Sequence, residues 1–218
     1  MSDSAKLSRM ALESGAIRLS PEKPFTWASG YKMPIYNDNR LLLGKEEYRS
    51  FISQIFVKYL NASIEKLDVI AGTATAGIPH ATTLADRLKK PLIYVRAVAK
   101  THGMGNQIEG QLTEGQNVLL IEDLISTGGS AINAVNAIRK SGGIVEHCLC
   151  IFSYGFSETQ RRFDEINCNY HSILTFPDLL KEAQSMQILS NDQIESLRTW
   201  YQDPFKWAGR KGFYSQPP

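Results

Sequence analysis

Glu122 and Asp123 are adjacent carboxylates, and they stand where the short apolar run Asn117 to Ile121 should end. Ser126-Thr127-Gly128-Gly129-Ser130 follows them, and then a helical pattern through Ala131, Ala134, Val135 and Ile138. Carboxylates at a strand end can hold sugar hydroxyls, or a magnesium ion through water. Glycines let backbone N–H groups converge, and a helix start adds a partial positive charge suited to a phosphate. The stretch Val118 to Ser130 therefore reads as a sugar-phosphate site. A nucleotide-hydrolase phosphate loop needs Gly-x-x-x-x-Gly-Lys and then Ser or Thr, and no such string occurs. The acids could still belong to the magnesium-binding strand of such an enzyme, but its phosphate loop is missing. The dinucleotide fingerprint Gly-x-Gly-x-x-Gly is approached only by Gly103-Met-Gly-Asn-Gln-Ile108, which fails at its last position. The plain alternative is an ordinary strand–turn–helix connection with surface acids; the hydroxyl- and glycine-rich turn on the same connection counts against it.

A second set of chemistry-bearing residues is basic. Arg96 stands at the base of a long glycine-rich segment, 97–114, which carries Lys100, His102, Gly103, Gly105 and Gly110. Loops of this length without internal structure tend to be lids or linkers. A mobile basic loop beside a phosphate cradle suits closure over an anionic leaving group. The competing reading is a two-stranded flap with incidental surface charge. His147 beside Cys148 invites a metal reading, but Cys148, Cys150 and Cys168 have neither zinc-finger nor redox spacing. Cys148 and Cys150, alternating on a strand, are expected to face the core of a reduced, cytoplasmic protein.

These residues need elements to hold them. The 218 residues carry 24 basic and 22 acidic side chains, a net charge of +2 that makes no case for nucleic acid or a membrane surface. The Lys206, Arg210, Lys211 cluster reads as solvated surface. No apolar run reaches the length of a membrane span, and Lys6, Arg9 and Glu13 interrupt any signal-peptide core. The pattern predicts a short helix over 5–14 ended by Gly15. An aromatic, proline-bearing irregular stretch over 20–40 follows, then a strongly amphipathic helix through Tyr48, Phe51, Ile52, Ile55, Phe56, Tyr59 and Leu60. From Asp68 strands alternate with helices: strands at 69–71, 92–96, 117–121 and 144–153, helices at 78–88 and about 129–140. Such alternation argues a mostly parallel sheet flanked by helices, with ligands beyond the carboxyl ends of the strands. That rule gathers the loops 72–77, 97–114 and 122–130. Beyond Tyr154 the pattern gives helices at 156–163 and 177–183, a last strand at 170–174, and a helix over 191–202 capped by Asn191.

Val118 to Ser130 resembles the phosphoribosyl-pyrophosphate motif of the type I phosphoribosyltransferases. Three further stretches narrow the resemblance to the orotate phosphoribosyltransferases: Phe25-Thr-Trp-Ala-Ser-Gly-Tyr-Lys-Met-Pro-Ile-Tyr36, Ala71-Gly-Thr-Ala-Thr-Ala-Gly-Ile-Pro-His80 and Lys100-Thr-His-Gly-Met-Gly-Asn-Gln-Ile-Glu-Gly110. The resemblance implies an α/β fold in a single domain, with a hood over 1–40, a core sheet over 65–175 and a mobile lid over 97–114. It implies transfer of a phosphoribosyl group to orotate with magnesium present, within pyrimidine biosynthesis. The donor would be held by Arg96, Lys100, His102, Thr73, Ala74 and the run Glu122, Asp123, Leu124, Ile125, Ser126, Thr127, Gly128, Gly129 and Ser130. Lys100, His102, Asp123 and Glu122 would be catalytic. Orotate would meet Ser126, Tyr36, Asn37 and Lys32, the last as partner of its carboxylate. No side chain would bind the metal directly; Glu122 and Asp123 would reach it through water. The family forms homodimers in which Lys100 and His102 serve the neighbouring subunit. Some relatives carry lysine at the positions of Ala28, Ala76 and Ala97 and arginine near Tyr154, so those contacts do not transfer. Two rivals remain: a purine-specific transferase, and a regulator that senses the donor.

Overall fold

The computed structural model describes residues 1–27, 29–60, 65–98 and 107–213, which form two compact units. The larger, Leu43–Phe176, contains a six-stranded sheet of order β10-β9-β8-β5-β6-β7. Its strands are β5 (Val69–Thr73), β6 (Leu92–Val95), β7 (Ile108–Glu109), β8 (Asn117–Ile125), β9 (Ile144–Ser153) and β10 (Asn169–Thr175). All pair in parallel except β7, which runs antiparallel to β6 through Tyr94↔Glu109 and Val95↔Ile108. The sheet is thus mostly parallel, as the alternation of patterns predicts. Helices α2 (Glu46–Leu60), α3 (Gly77–Leu88), α4 (Gly129–Lys140) and α5 (Ser157–Glu165) complete the unit.

Val118 to Ile121 are all buried because β8 is covered on both faces. Val118 and Leu120 join Ala131, Ala134, Val135 and Ile138 of α4 in one core cluster, with Cys148, Cys150 and Phe163. Gly72 brings α3 against β5: a Cβ there would sit 2.9 Å from the Ile78 Cα and 3.0 Å from the Ala81 Cβ. Only glycine permits that approach.

The smaller unit joins Met1–Leu42 to Pro177–Pro218. It holds α1 (Asp3–Glu13), the antiparallel pair β1 (Ile17–Leu19) with β4 (Ile35–Asn37), and the short pair β2 (Phe25–Thr26) with β3 (Lys32–Met33). Helices α6 (Phe176–Ser185), α7 (Asn191–Gln202) and α8 (Pro204–Arg210) follow. Trp200 and Trp207 are fully buried, and the Trp200 Nε1 lies 3.1 Å from the Met33 sulfur.

Several expectations need correcting. β8 does not stop at Ile121 but runs to Ile125, because β9 supplies partners that far: Glu122↔Cys150, Leu124↔Phe152 and Ile125↔Ser153. The two acids therefore lie within the strand, and the turn shrinks to residues 126–128. Tyr59 is not core. It is 49% exposed, stacks on His171 and donates its hydroxyl to the Ser172 carbonyl, an arrangement that suits a ring at the edge of an apolar stripe. The cap of α7 is Ser190, one residue earlier than expected, in a capping box with Gln193. The extended stretch over 20–40 contains paired strands, and α8 is an element the pattern did not reveal.

Candidate active site

Glu122 is 5% exposed at the carboxyl end of β8. Its Oε2 accepts the Ser130 hydroxyl at 3.1 Å, and its Oε1 accepts the Asp123 N–H at 3.0 Å. Burial first, and then the negative charge of Asp123, push the Glu122 pKa up to about 7. Near neutrality Glu122 exchanges a proton readily, whereas half-buried Asp123 stands nearer to solvent.

The turn that follows is open on its outer side. Thr127, Gly129 and Ser130 are exposed, and Ser126 is half-buried. Gly128 takes φ +80°, a left-handed value that favours glycine, and a Cβ there would come within 3.0 Å of the Phe163 ring. α4 begins immediately afterwards. Its first N–H groups have no acceptor within the helix and lie at the positive end of its dipole. Leu124 and buried Ile125 belong to β8 and anchor the turn. On the other side the turn is held by α5: Thr159 donates to the Ser126 carbonyl at 2.7 Å, and Arg162 donates to the Thr127 carbonyl at 2.5 Å. Neither residue is conspicuous in the sequence, where α5 reads only as a polar helix. Their three-residue spacing puts both on one helical face, but only the approach of α5 to the turn gives that face a role.

The loop after β5 is shorter than the pattern suggests. Thr73 closes the strand, and its buried hydroxyl donates to the Ile121 carbonyl at 3.1 Å, so its side chain is committed to the fold. The Ala74 N–H is donated to the Val95 carbonyl at 2.8 Å. An amide contribution to an anion here therefore falls to Thr75, Ala76 and Gly77, at the start of α3. The peptide between Ala74 and Thr75 is cis.

Arg96 directly follows β6, with its Nη1 3.3 Å from Glu109 Oε1 of β7. The guanidinium side chain is 39% exposed, and an ion pair this open contributes about 0–1 kcal/mol, so an incoming anion can replace Glu109. Asn133 of α4 donates to the Ala97 carbonyl at 3.1 Å and ties the base of the 97–114 segment to the helix. Lys100 and His102 lie outside the described residues, as does Ala28.

The residues expected to meet a base divide between the units: Ser126 belongs to the larger and Lys32, Tyr36 and Asn37 to the smaller. In the smaller unit the Asn37 side-chain oxygen and nitrogen are both buried without a hydrogen-bond partner, an arrangement that costs free energy until a ligand or water satisfies it. Lys32 Nζ donates to the Thr26 hydroxyl at 2.7 Å. The Arg18 guanidinium lies 4.9 Å from the centre of the Tyr36 ring and 5.3 Å from that of Phe25. Arg18, directly opposite Tyr36 in the β1–β4 pair, is a cation that the sequence reading overlooked.

Among the described residues no group of three His, Cys, Asp or Glu side chains could hold a metal ion. Magnesium carried by substrate phosphates needs only one or two protein carboxylates, and Glu122 with Asp123 supplies that number.

A parallel strand that carries two adjacent acids near its end, a glycine turn and a helix start make a cradle suited to a phosphorylated sugar. Comparison with known proteins agrees. The model of the phosphoribosyl transferase domain matches residues 44–175. The orotate phosphoribosyltransferase of Listeria monocytogenes serovar 1/2a is 42% identical over 208 residues, covering 95% of this chain and 100% of the relative. The crystal structure of orotate phosphoribosyltransferase from Aeropyrum pernix superposes with a TM-score of 0.73 at 27% identity, over 84% of this chain and 99% of that one. A Mycobacterium tuberculosis orotate phosphoribosyltransferase in complex with 5-phospho-α-D-ribosyl 1-diphosphate shares the fold, with a TM-score of 0.63 at 22% identity over 81% and 98% of the two chains. The chain belongs to the phosphoribosyltransferase family. Within that family it is similar to curated orotate phosphoribosyltransferases over 95% of its length.

Proposed function

We propose that the protein transfers the phosphoribosyl group of 5-phosphoribosyl 1-pyrophosphate to a ring nitrogen of orotate, releasing pyrophosphate and orotidine 5′-monophosphate on the route to uridine nucleotides. The observation that carries this reading is the 42% identity across 95% of the chain to an orotate phosphoribosyltransferase. The geometry suits the chemistry. The bond from the anomeric carbon to pyrophosphate breaks as the bond to the base nitrogen forms, so positive charge develops on the ribose. Catalysis then consists largely of positioning and charge stabilisation.

The turn Ser126 to Ser130 and the first amides of α4 cradle the 5′-phosphate. Asp123 and Glu122 accept the ribose hydroxyls and face the developing charge. The start of α3 and Arg96 meet the pyrophosphate, with Lys100 and His102 neutralising it as it leaves. Magnesium, held by the donor and reached by Glu122 and Asp123 through water, would offset the pyrophosphate charge. Tyr36, Asn37, Lys32 and Ser126 are the base contacts, and the unpartnered amide of Asn37 supports a polar, planar ligand there. A homodimer sharing the 97–114 segment, in the cytoplasm, completes the proposal. Among the described residues no helix is long and apolar enough to cross a membrane.

The decisive measurement follows orotate absorbance on adding donor and magnesium, beside a panel of other bases. Loss of absorbance is the expected result. Turnover of hypoxanthine or adenine without orotate would make the protein a purine enzyme, and donor binding with no base consumed would make it a sensor.

A further inference from the structure

We propose that helix α5 is a clamp on the phosphate turn, in which Thr159 and Arg162 aim the Thr127 and Gly128 amides at the donor's 5′-phosphate. Three residues on one face of α5, at positions i, i+3 and i+4, grip the three residues of the turn in order. Thr159 is 1% exposed and donates its hydroxyl to the Ser126 carbonyl at 2.7 Å. Arg162 donates to the Thr127 carbonyl at 2.5 Å. The Phe163 ring occupies the space where a Cβ of Gly128 would stand.

The consequence follows from peptide geometry. In a trans peptide the C=O and N–H of one plane point in opposite directions. The Ser126 carbonyl shares its peptide with the Thr127 N–H, and the Thr127 carbonyl shares its own with the Gly128 N–H. Neither peptide is among the cis bonds of the chain. Holding both carbonyls against α5 therefore turns both N–H groups away from it, toward the outer side where Thr127 and Gly129 are exposed. Arg162 adds a second effect. A charged donor on the Thr127 carbonyl polarises that peptide and strengthens its N–H as a donor. An unclamped turn would have to pay the cost of ordering two peptide planes when phosphate binds. α5 meets that cost during folding, so Thr159 and Arg162 are positioning residues, acting through the turn and not on the substrate.

The inference rests on the donor-binding half of the proposed function and is independent of the base. The test titrates ribose 5-phosphate and, separately, pyrophosphate with magnesium into the full-length protein by calorimetry, and measures KM for donor and orotate. Thr159→Val and Arg162→Met are expected to weaken ribose 5-phosphate about five- to tenfold, the scale of one lost hydrogen bond. Pyrophosphate affinity and the orotate KM should hold within about twofold. Thr159→Ser and Arg162→Lys, which keep a donor, should recover most of the loss. Half-buried Arg162 tolerates substitution should buried Thr159 not. A parallel fall in pyrophosphate affinity would reduce α5 to a structural support and overturn the clamp, as would wild-type ribose 5-phosphate affinity in Arg162→Met. A wild-type protein that binds ribose 5-phosphate yet ignores orotate refutes the base assignment alone; one that does not bind ribose 5-phosphate overturns the clamp.

Discussion

Two buried titratable residues of the larger unit oppose each other in their effect on stability. Glu122 holds its proton up to about pH 7, because burial and Asp123 both disfavour the carboxylate. Unfolding returns it to an ordinary value near 4.5, so between about 4.5 and 7 the folded state binds more protons and stability falls as pH rises. His80 has the opposite sign. It is 2% exposed, and burial, followed by the charge of Arg49, lowers its pKa to about 4 from 6.5. Between those values the unfolded state binds more protons, so stability rises with pH. The ligand-free wild-type protein is therefore expected to show a flatter profile than either single variant. Relative to wild type, Glu122→Gln should gain thermal stability as pH rises from about 4.5 to 7, and His80→Gln should lose it from about 4 to 6.5. Unfolding midpoints of the three proteins over that range check both signs; parallel profiles would mean that neither residue titrates as its surroundings dictate. The same proton affects function. On the proposed role of Glu122 as acceptor for the donor's hydroxyls, binding of the sugar is expected to draw Glu122 toward its charged form and to release a proton near neutrality.

At the scale of elements, the turns matter more than the strands and helices they join. Gly77 opens α3, where a Cβ would sit 2.5 Å from the Ile121 carbonyl oxygen and 2.6 Å from the Thr73 hydroxyl. Those atoms belong to β8 and β5 and cannot give way without moving the sheet beneath the acids. Gly77→Ala is expected to destabilise the protein by about 1–3 kcal/mol and to weaken the donor, measured by thermal unfolding and donor KM. Ser190→Ala offers the contrast: it loses the α7 capping box at a cost of about 1 kcal/mol but should leave donor KM unchanged. If both variants damaged the donor KM alike, the local account of Gly77 would fail.

These elements were unequally legible. α4 and β9 stand where the periodicity puts them, because each has a clean apolar pattern bounded by breakers. The end of β8 was not legible, since charged Glu122 and Asp123 look like a terminus. It is β9, a partner distant in sequence, that keeps them in the ladder. α8 is not legible because Pro204 resembles a stop, although proline is favoured in the first turn of a helix, and the helix it opens buries Trp207 and Ala208. At the candidate site the acids, the glycine turn and Arg96 announce themselves by residue type. Thr159, Arg162 and Arg18 do not, because their roles depend on a tertiary approach that no local spacing encodes.

At the scale of the whole molecule the open question is whether one chain makes a complete site. On the proposed reading the described residues supply a phosphate cradle, acids for the ribose and Arg96, and Lys100 and His102 add further cations for the pyrophosphate. The family resemblance assigns those two to the neighbouring subunit. Lys100→Ala should lower kcat about 10²–10³-fold, the scale for removing a group that stabilises charge in the transition state. A fall in donor affinity with kcat intact would instead make Lys100 a binding residue. Asp123→Ala should disable the other half of the site, which stays with its own turn on β8. Mixing the two inactive variants then separates shared from private sites. In a mixed dimer with shared sites, one site carries both defects and the other carries neither. Random exchange makes half of the dimers mixed, so activity should return to about a quarter of wild type. With private sites every site keeps one defect, and the mixture can show no more than the average of its two parents. Activity measured before and after subunit exchange distinguishes these outcomes without any need to observe the loop itself.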